Sequence, residues 1–134
     1  MDTPERRVLT DLREALLKLH KTLLDWERNA YDRLHGRTTG HSLLHAILND
    51  PQFAWLRPLS ELIARIDETL ANDAADVPGE AAAIMAHARK LVSPGDQGAL
   101  DPERYQTALQ EYPDAVFAHR DVGVVLKNQE PTNP

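Results

Sequence analysis

Six histidines and no cysteine set the metal chemistry open to this chain. His41 and His45 are four residues apart, which places both imidazoles on one helix face and lets both grip one ion. On a helical wheel they lie beside the edge formed by Leu44 and Leu48. A metal held between helices needs further carboxylate or histidine ligands from a facing helix. His20, Glu27 and His35 are the residues of the first helix that offer them. His20 and Glu27 stand seven apart, about 10.5 Å along a helix axis, and cannot hold one ion together. Neither Glu-x-x-His nor His-Glu-x-x-His occurs, so two common helical metal signatures are missing. His41, His45 and His20 make up the metal set of a subordinate reading, a metal-dependent helical enzyme. The plainer reading is a polar helix start with no cofactor.

Other catalytic patterns are scarcer. Without cysteine there is no disulfide, no thiolate nucleophile and no thiolate-ligated zinc. Ser42, Ser60 and Ser93 are the serines, and none sits in a Gly-x-Ser-x-Gly turn. Ser60 follows Pro58 within a helical pattern, where a hydroxyl bonds back to a carbonyl about one turn earlier. Phosphate-cradling glycine motifs are absent. Glu61, Asp67 and Glu68 read as the wet side of a helix rather than as an acid/base pair.

The segment Phe53-Ala54-Trp55-Leu56-Arg57-Pro58-Leu59 gathers one of two tryptophans, one of two phenylalanines, an arginine and a helix breaker. Tryptophan and arginine are enriched in binding hot spots. Trp26, Phe53, Trp55 and Arg57 therefore form the candidate partner or ligand site, against the reading in which the aromatic rings only fill a core. Arg57→Ala is expected to weaken binding there while leaving the melting temperature nearly unchanged; a large loss of stability would make Arg57 structural.

These residues hang on helices whose limits are written in the sequence. Thr3 reads as an N-cap and Pro4 as a first helical position. Leu9, Leu12, Leu16, Leu19, Leu23, Trp26 and Ala30 then recur at spacings of three and four, one apolar seam. Arg7, Asp11, Glu14, Lys18, Lys21, Asp25, Arg28 and Asp32 form a charged stripe on the opposite side, with pairs four apart that each contribute ~0.2–0.5 kcal/mol. Leu17, Leu24 and Tyr31 widen the apolar face, which suits a bundle or a helix shared with a partner. Gly36 is the expected stop, giving a first helix from about Pro4 to His35, roughly 48 Å long. A short second helix spans about 41–49. Asp50 and Pro51 open a third, in which Leu56, Leu59, Ile63, Ile66 and Leu70 keep phase through Pro58; the proline either kinks one continuous helix there or restarts a second, and we favour the kink. Residues 72–77 read as a polar linker. A fourth helix begins at Pro78 and ends at Ser93-Pro94-Gly95, with a loop over 94–100. Asp101-Pro102 starts a fifth, running to about Tyr112, and Pro113-Asp114 a sixth, ending near Lys127. The fold class expected is all-α: a helical bundle, four-helix-bundle-like, with two long helices and several shorter ones. It forms a single domain over 1–127, followed by a disordered tail over 128–134.

The length of 134 residues fits one domain with a core of its own. No run of apolar residues is long enough to span a membrane, and the N-terminus lacks the apolar stretch of a signal peptide. The expected location is the cytoplasm. The net charge is −6. Residues 1–37 carry 8 basic and 7 acidic side chains, and the remainder 7 and 14. Because the basic residues alternate with acids, a nucleic-acid backbone is not an expected partner.

Over 49–61 the run Asn-Asp-Pro-Gln-Phe-Ala-Trp-Leu-Arg-Pro-Leu-Ser-Glu resembles one found in small uncharacterised helical proteins of bacteria. That resemblance implies a bacterial cytosolic helical domain and brings no activity with it. Near the C-terminus, Tyr105, Ala108, Leu109, Pro113, Ala118, His119, Val122, Gly123 and Leu126 resemble the junction between two tetratricopeptide repeats. No 34-residue period accompanies them, so the resemblance implies an antiparallel helical hairpin rather than a repeat array.

Three functions stand in order. The first is a non-catalytic domain that binds a protein partner or a second copy of itself. The second is a small-molecule-binding or sensing bundle with a pocket near Trp55 and Arg57. The third is the metal-dependent enzyme built on His41 and His45.

Overall fold

The computed structural model describes residues 3–37, 39–93 and 99–128. The first helix, α1 (Pro4–His35), begins where the Thr3 hydroxyl accepts the Arg6 N–H at 3.2 Å. It ends where Gly36, at φ 81°, donates its N–H to the Asp32 carbonyl at 2.8 Å. Its apolar seam is buried from Leu9 through Trp26. The charged stripe is only partly paired within the helix. Arg28 and Asp32 meet at 3.9 Å, whereas Lys18 turns to Asp121 at 3.3 Å.

After α1 come α2 (Gly40–Asn49), a 3₁₀ helix (Pro51–Leu56) and α3 (Arg57–Leu70). The expected single kinked helix is therefore two elements. Pro58 has no N–H to give the Ala54 carbonyl. The Arg57 N–H takes that carbonyl instead, one residue early, which is the 3₁₀ pattern. The chain then restarts as an α-helix with Pro58 in its first turn, where a proline costs nothing. The Ser60 hydroxyl donates to the Arg57 carbonyl at 3.0 Å.

The stretch read as a linker is a second 3₁₀ turn (Asp73–Asp76) with Ala75 fully buried. The Arg6 guanidinium fastens it, donating to the carbonyls of Leu70 and Asn72 at 2.9 and 2.8 Å and meeting Asp76 at 3.3 Å. Helix α4 (Glu80–Leu91) starts two residues later than expected, because Gly79 adopts φ 86° and cannot belong to a right-handed helix. Helices α5 (Pro102–Glu111) and α6 (Pro113–Asn128) follow. Part of the expected loop, 94–98, and the tail from 129 lie outside the described residues.

Among the described residues there are six α-helices and no strand. Only α1, at 32 residues, is long; none of the others exceeds 16, so the expected second long helix is absent. Helix α1 packs against α6, α3 and α4, and α4 also touches α3 and α6. One apolar core lies between these four helices. Helix α5 packs chiefly on α6, and the buried Tyr105 hydroxyl lies 2.7 Å from His119 Nδ1. Burial raises the Tyr105 phenol and lowers the His119 imidazole, so both groups of this contact are favoured in their neutral forms. Helix α2 rests chiefly on the first 3₁₀ helix and stands apart from the core. No helix among the described residues is long and apolar enough to cross a membrane.

Candidate functional site

Two clusters adjoin the 3₁₀ helix, and the candidate partner residues do not form one site. Trp26 and Trp55 come together, with indole centroids 6.4 Å apart and edge to face at 88°. Between their elements lies Glu27, a fully buried carboxylate. It sits four residues beyond Leu23 and so falls on the seam of α1 rather than on the charged stripe. A carboxylate there is costly unless donors surround it. Trp55 Nε1–H donates to Oε1 at 2.8 Å, and Gln52 Nε2–H donates to Oε2 at 3.3 Å. Arg104, from α5, forms an ion pair with the same Oε2. Its guanidinium also lies 4.8 Å over the Trp26 ring. Trp26 in turn donates Nε1–H to Glu111 at 3.0 Å. The outer side opens into a groove of about 370 Å³, with Asp101 and Leu34 on its walls.

In this cluster Arg104 balances the Glu27 charge and both Glu27 oxygens accept hydrogen bonds, while Glu111 adds a second carboxylate beside Trp26. The cluster's evident work is to fasten α5 to α1 and the 3₁₀ helix. Gln52, Arg104 and Glu111 were not singled out by sequence reasoning. The available signal was Glu27, an acid on an apolar seam.

Phe53 and Arg57 lie elsewhere, in a groove of about 240 Å³ with Leu24, Leu48, Leu56 and His20. Phe53 is buried against Tyr31, ring centroids 5.4 Å apart. Arg57 is exposed and reaches the Leu48 carbonyl at 3.5 Å. The four residues of the expected site thus form two pairs: Trp26 is buried against Trp55, which lines the groove of about 370 Å³, and Phe53 and Arg57 line that of about 240 Å³.

The metal set divides as well. His41 and His45 line one groove of about 530 Å³ with Tyr31, Asn49 and Asp50, while His20 belongs to the smaller apolar groove, where burial lowers its pKa. His35 stacks on Tyr31 at 4.2 Å. No group of three or more histidine, aspartate or glutamate side chains suited to hold a metal occurs among the described residues.

The second cluster is the outer face of α2. His41, Leu44, His45 and Leu48 follow the spacing i, i+3, i+4, i+7, and all four are exposed. Leu44 and Leu48 keep 56% and 61% of their surface in water, which marks an uncovered apolar edge. The helix carries no Asp, Glu, Lys or Arg between Gly40 and Asn49.

Comparison with protein-family models, with curated proteins and with solved structures finds no match to this chain. Neither the run over 49–61 nor the C-terminal hairpin is tied to a known family, and the function is read from the chain's own geometry.

Proposed function

We propose that this chain is a non-catalytic helical interaction domain that associates with a second copy of itself through the outer face of α2. The observation that carries this reading is the stripe His41, Leu44, His45 and Leu48, all four exposed on a helix without an Asp, Glu, Lys or Arg. An uncharged face selects no oppositely charged partner and meets no like-charge repulsion from its own copy. A two-fold contact between identical chains would set this face against its own copy. A small-molecule reading divides its residues: the groove at Trp55 holds about 370 Å³, within the ~300–1,000 Å³ usual for ligand pockets, whereas the separate groove at Phe53 and Arg57 holds about 240 Å³. The absence of cysteine accords with a reducing compartment such as the cytoplasm.

Sedimentation of the full chain in metal-free buffer tests the reading. The wild type is expected to pass from monomer to dimer as concentration rises. Leu44→Asp/Leu48→Asp is expected to stay monomeric with its melting curve little changed, because both leucines face water. A wild type that stays monomeric throughout, or a double variant that dimerises as well as it does, overturns the proposal.

A further inference from the structure

We infer that the α2 face is also half of a zinc site, which a second copy of the chain completes; this rests on the self-association proposed above. His41 and His45 are one turn apart, with Cβ atoms about 5–6 Å from each other. Both are exposed and both line the same groove. That geometry is a two-toothed clamp for an ion at the ~2.0–2.1 Å typical of zinc–imidazole bonds.

One chain stops at two ligands. Tetrahedral zinc asks for four, and no third histidine, aspartate or glutamate joins His41 and His45 in a metal-holding group among the described residues. A two-fold contact supplies the missing pair. It brings the same patch of both copies together, so one clamp faces the other across the axis and the ion sits between them with four imidazoles around it.

The surroundings favour this arrangement. Leu44 and Leu48 follow His41 and His45 by three residues each on the same face, so apolar contact flanks the ion and shields it from water. Each chain carries a net charge of −6. Two copies repel at long range, and a divalent cation at the contact offsets part of that repulsion. The chemistry points to a borderline-soft divalent metal that accepts nitrogen: zinc first, with nickel and copper able to bind the same clamp, while magnesium and calcium, which demand oxygen, are refused.

The test is sedimentation of the full chain in EDTA and with zinc chloride, alongside calorimetric titration of zinc. Zinc is expected to strengthen dimerisation by at least about tenfold, with one ion bound per two chains. His41→Ala/His45→Ala should lose the zinc response, so that whatever association it retains is the same in EDTA and in zinc. His35→Ala/His87→Ala, which alters two other exposed histidines, should keep both the association and the zinc response.

Three results overturn the inference. Zinc without effect on a chain that dimerises in EDTA removes the metal site and leaves the self-association standing. One ion per chain with no change in size shows that water completes the clamp. A response that persists in His41→Ala/His45→Ala puts the metal elsewhere. A chain that stays monomeric in both buffers fails at the earlier step, because the face itself then does not pair.

Discussion

Arg104→Ala is expected to cost about 2–4 kcal/mol of folding stability, a large fraction of what a domain of this size possesses. The substitution leaves Glu27 fully buried with its charge unbalanced and two neutral donors in place of three. Breaking a fully buried pair costs ~3–5 kcal/mol. The lower range applies here because the Arg104 side chain is 38% exposed, so water reaches the pair once the guanidinium is gone. The loss of the guanidinium over the Trp26 ring adds to the effect. At about 3 °C per kcal/mol for a chain of this length, the melting temperature should fall by ~6–12 °C.

The pair also makes a sharper comparison possible. Replacing both partners by apolar residues, as Glu27→Leu/Arg104→Met, removes the charge along with its partner and should recover most of the loss. Urea unfolding of the two single variants and the double variant measures the coupling. A single Arg104→Ala shift below about 1 kcal/mol would show that the ion pair contributes no more than an ordinary surface bridge.

Leu16→Ala is the second large effect expected, at about 2–5 kcal/mol. Leu16 is fully buried in the core between α1, α3, α4 and α6. Truncation removes its transfer energy and leaves a cavity that helices fixed along their length cannot close. Leu48→Ala removes the same atoms from a residue that is mostly in water, and should change stability by less than ~0.5 kcal/mol. The contrast separates leucines that hold the fold from those available to a partner. Equal effects at the two positions would mean that α2 is packed into the core.

How much of this was legible in the sequence depends on distance along the chain. The seam and both ends of α1 were readable, because each signal is local: a hydroxyl before a proline, apolar residues three and four apart, a glycine after the last turn. The break at Pro58 was misread for a reason of period. Phe53, Leu56 and Leu59 are three apart and all buried; that spacing fits a 3₁₀ helix as well as an α-helix, so the pattern stays in phase across the change. Glu27 announced itself as an acid on an apolar seam, but Gln52, Trp55 and Arg104 lie 25, 28 and 77 residues away. No periodicity links residues so far apart. Leu44 and Leu48 show a different limit. The sequence marks them as an apolar edge, and only the packing of α2 tells whether the chain itself covers that edge.

Trp26 and Trp55 are the chain's two indoles, and they touch. All of its indole emission therefore originates at a single spot, where α1, the 3₁₀ helix and α5 are joined. Light excited at 295 nm is a gauge of that junction and of nothing else in the molecule. A change in colour or quenching on warming, acidification or titration dates the loosening of α5, while circular dichroism follows the helices as a whole. If the emission shifts before the ellipticity falls, α5 peels away ahead of the remainder; coincident curves mean that the six helices let go together.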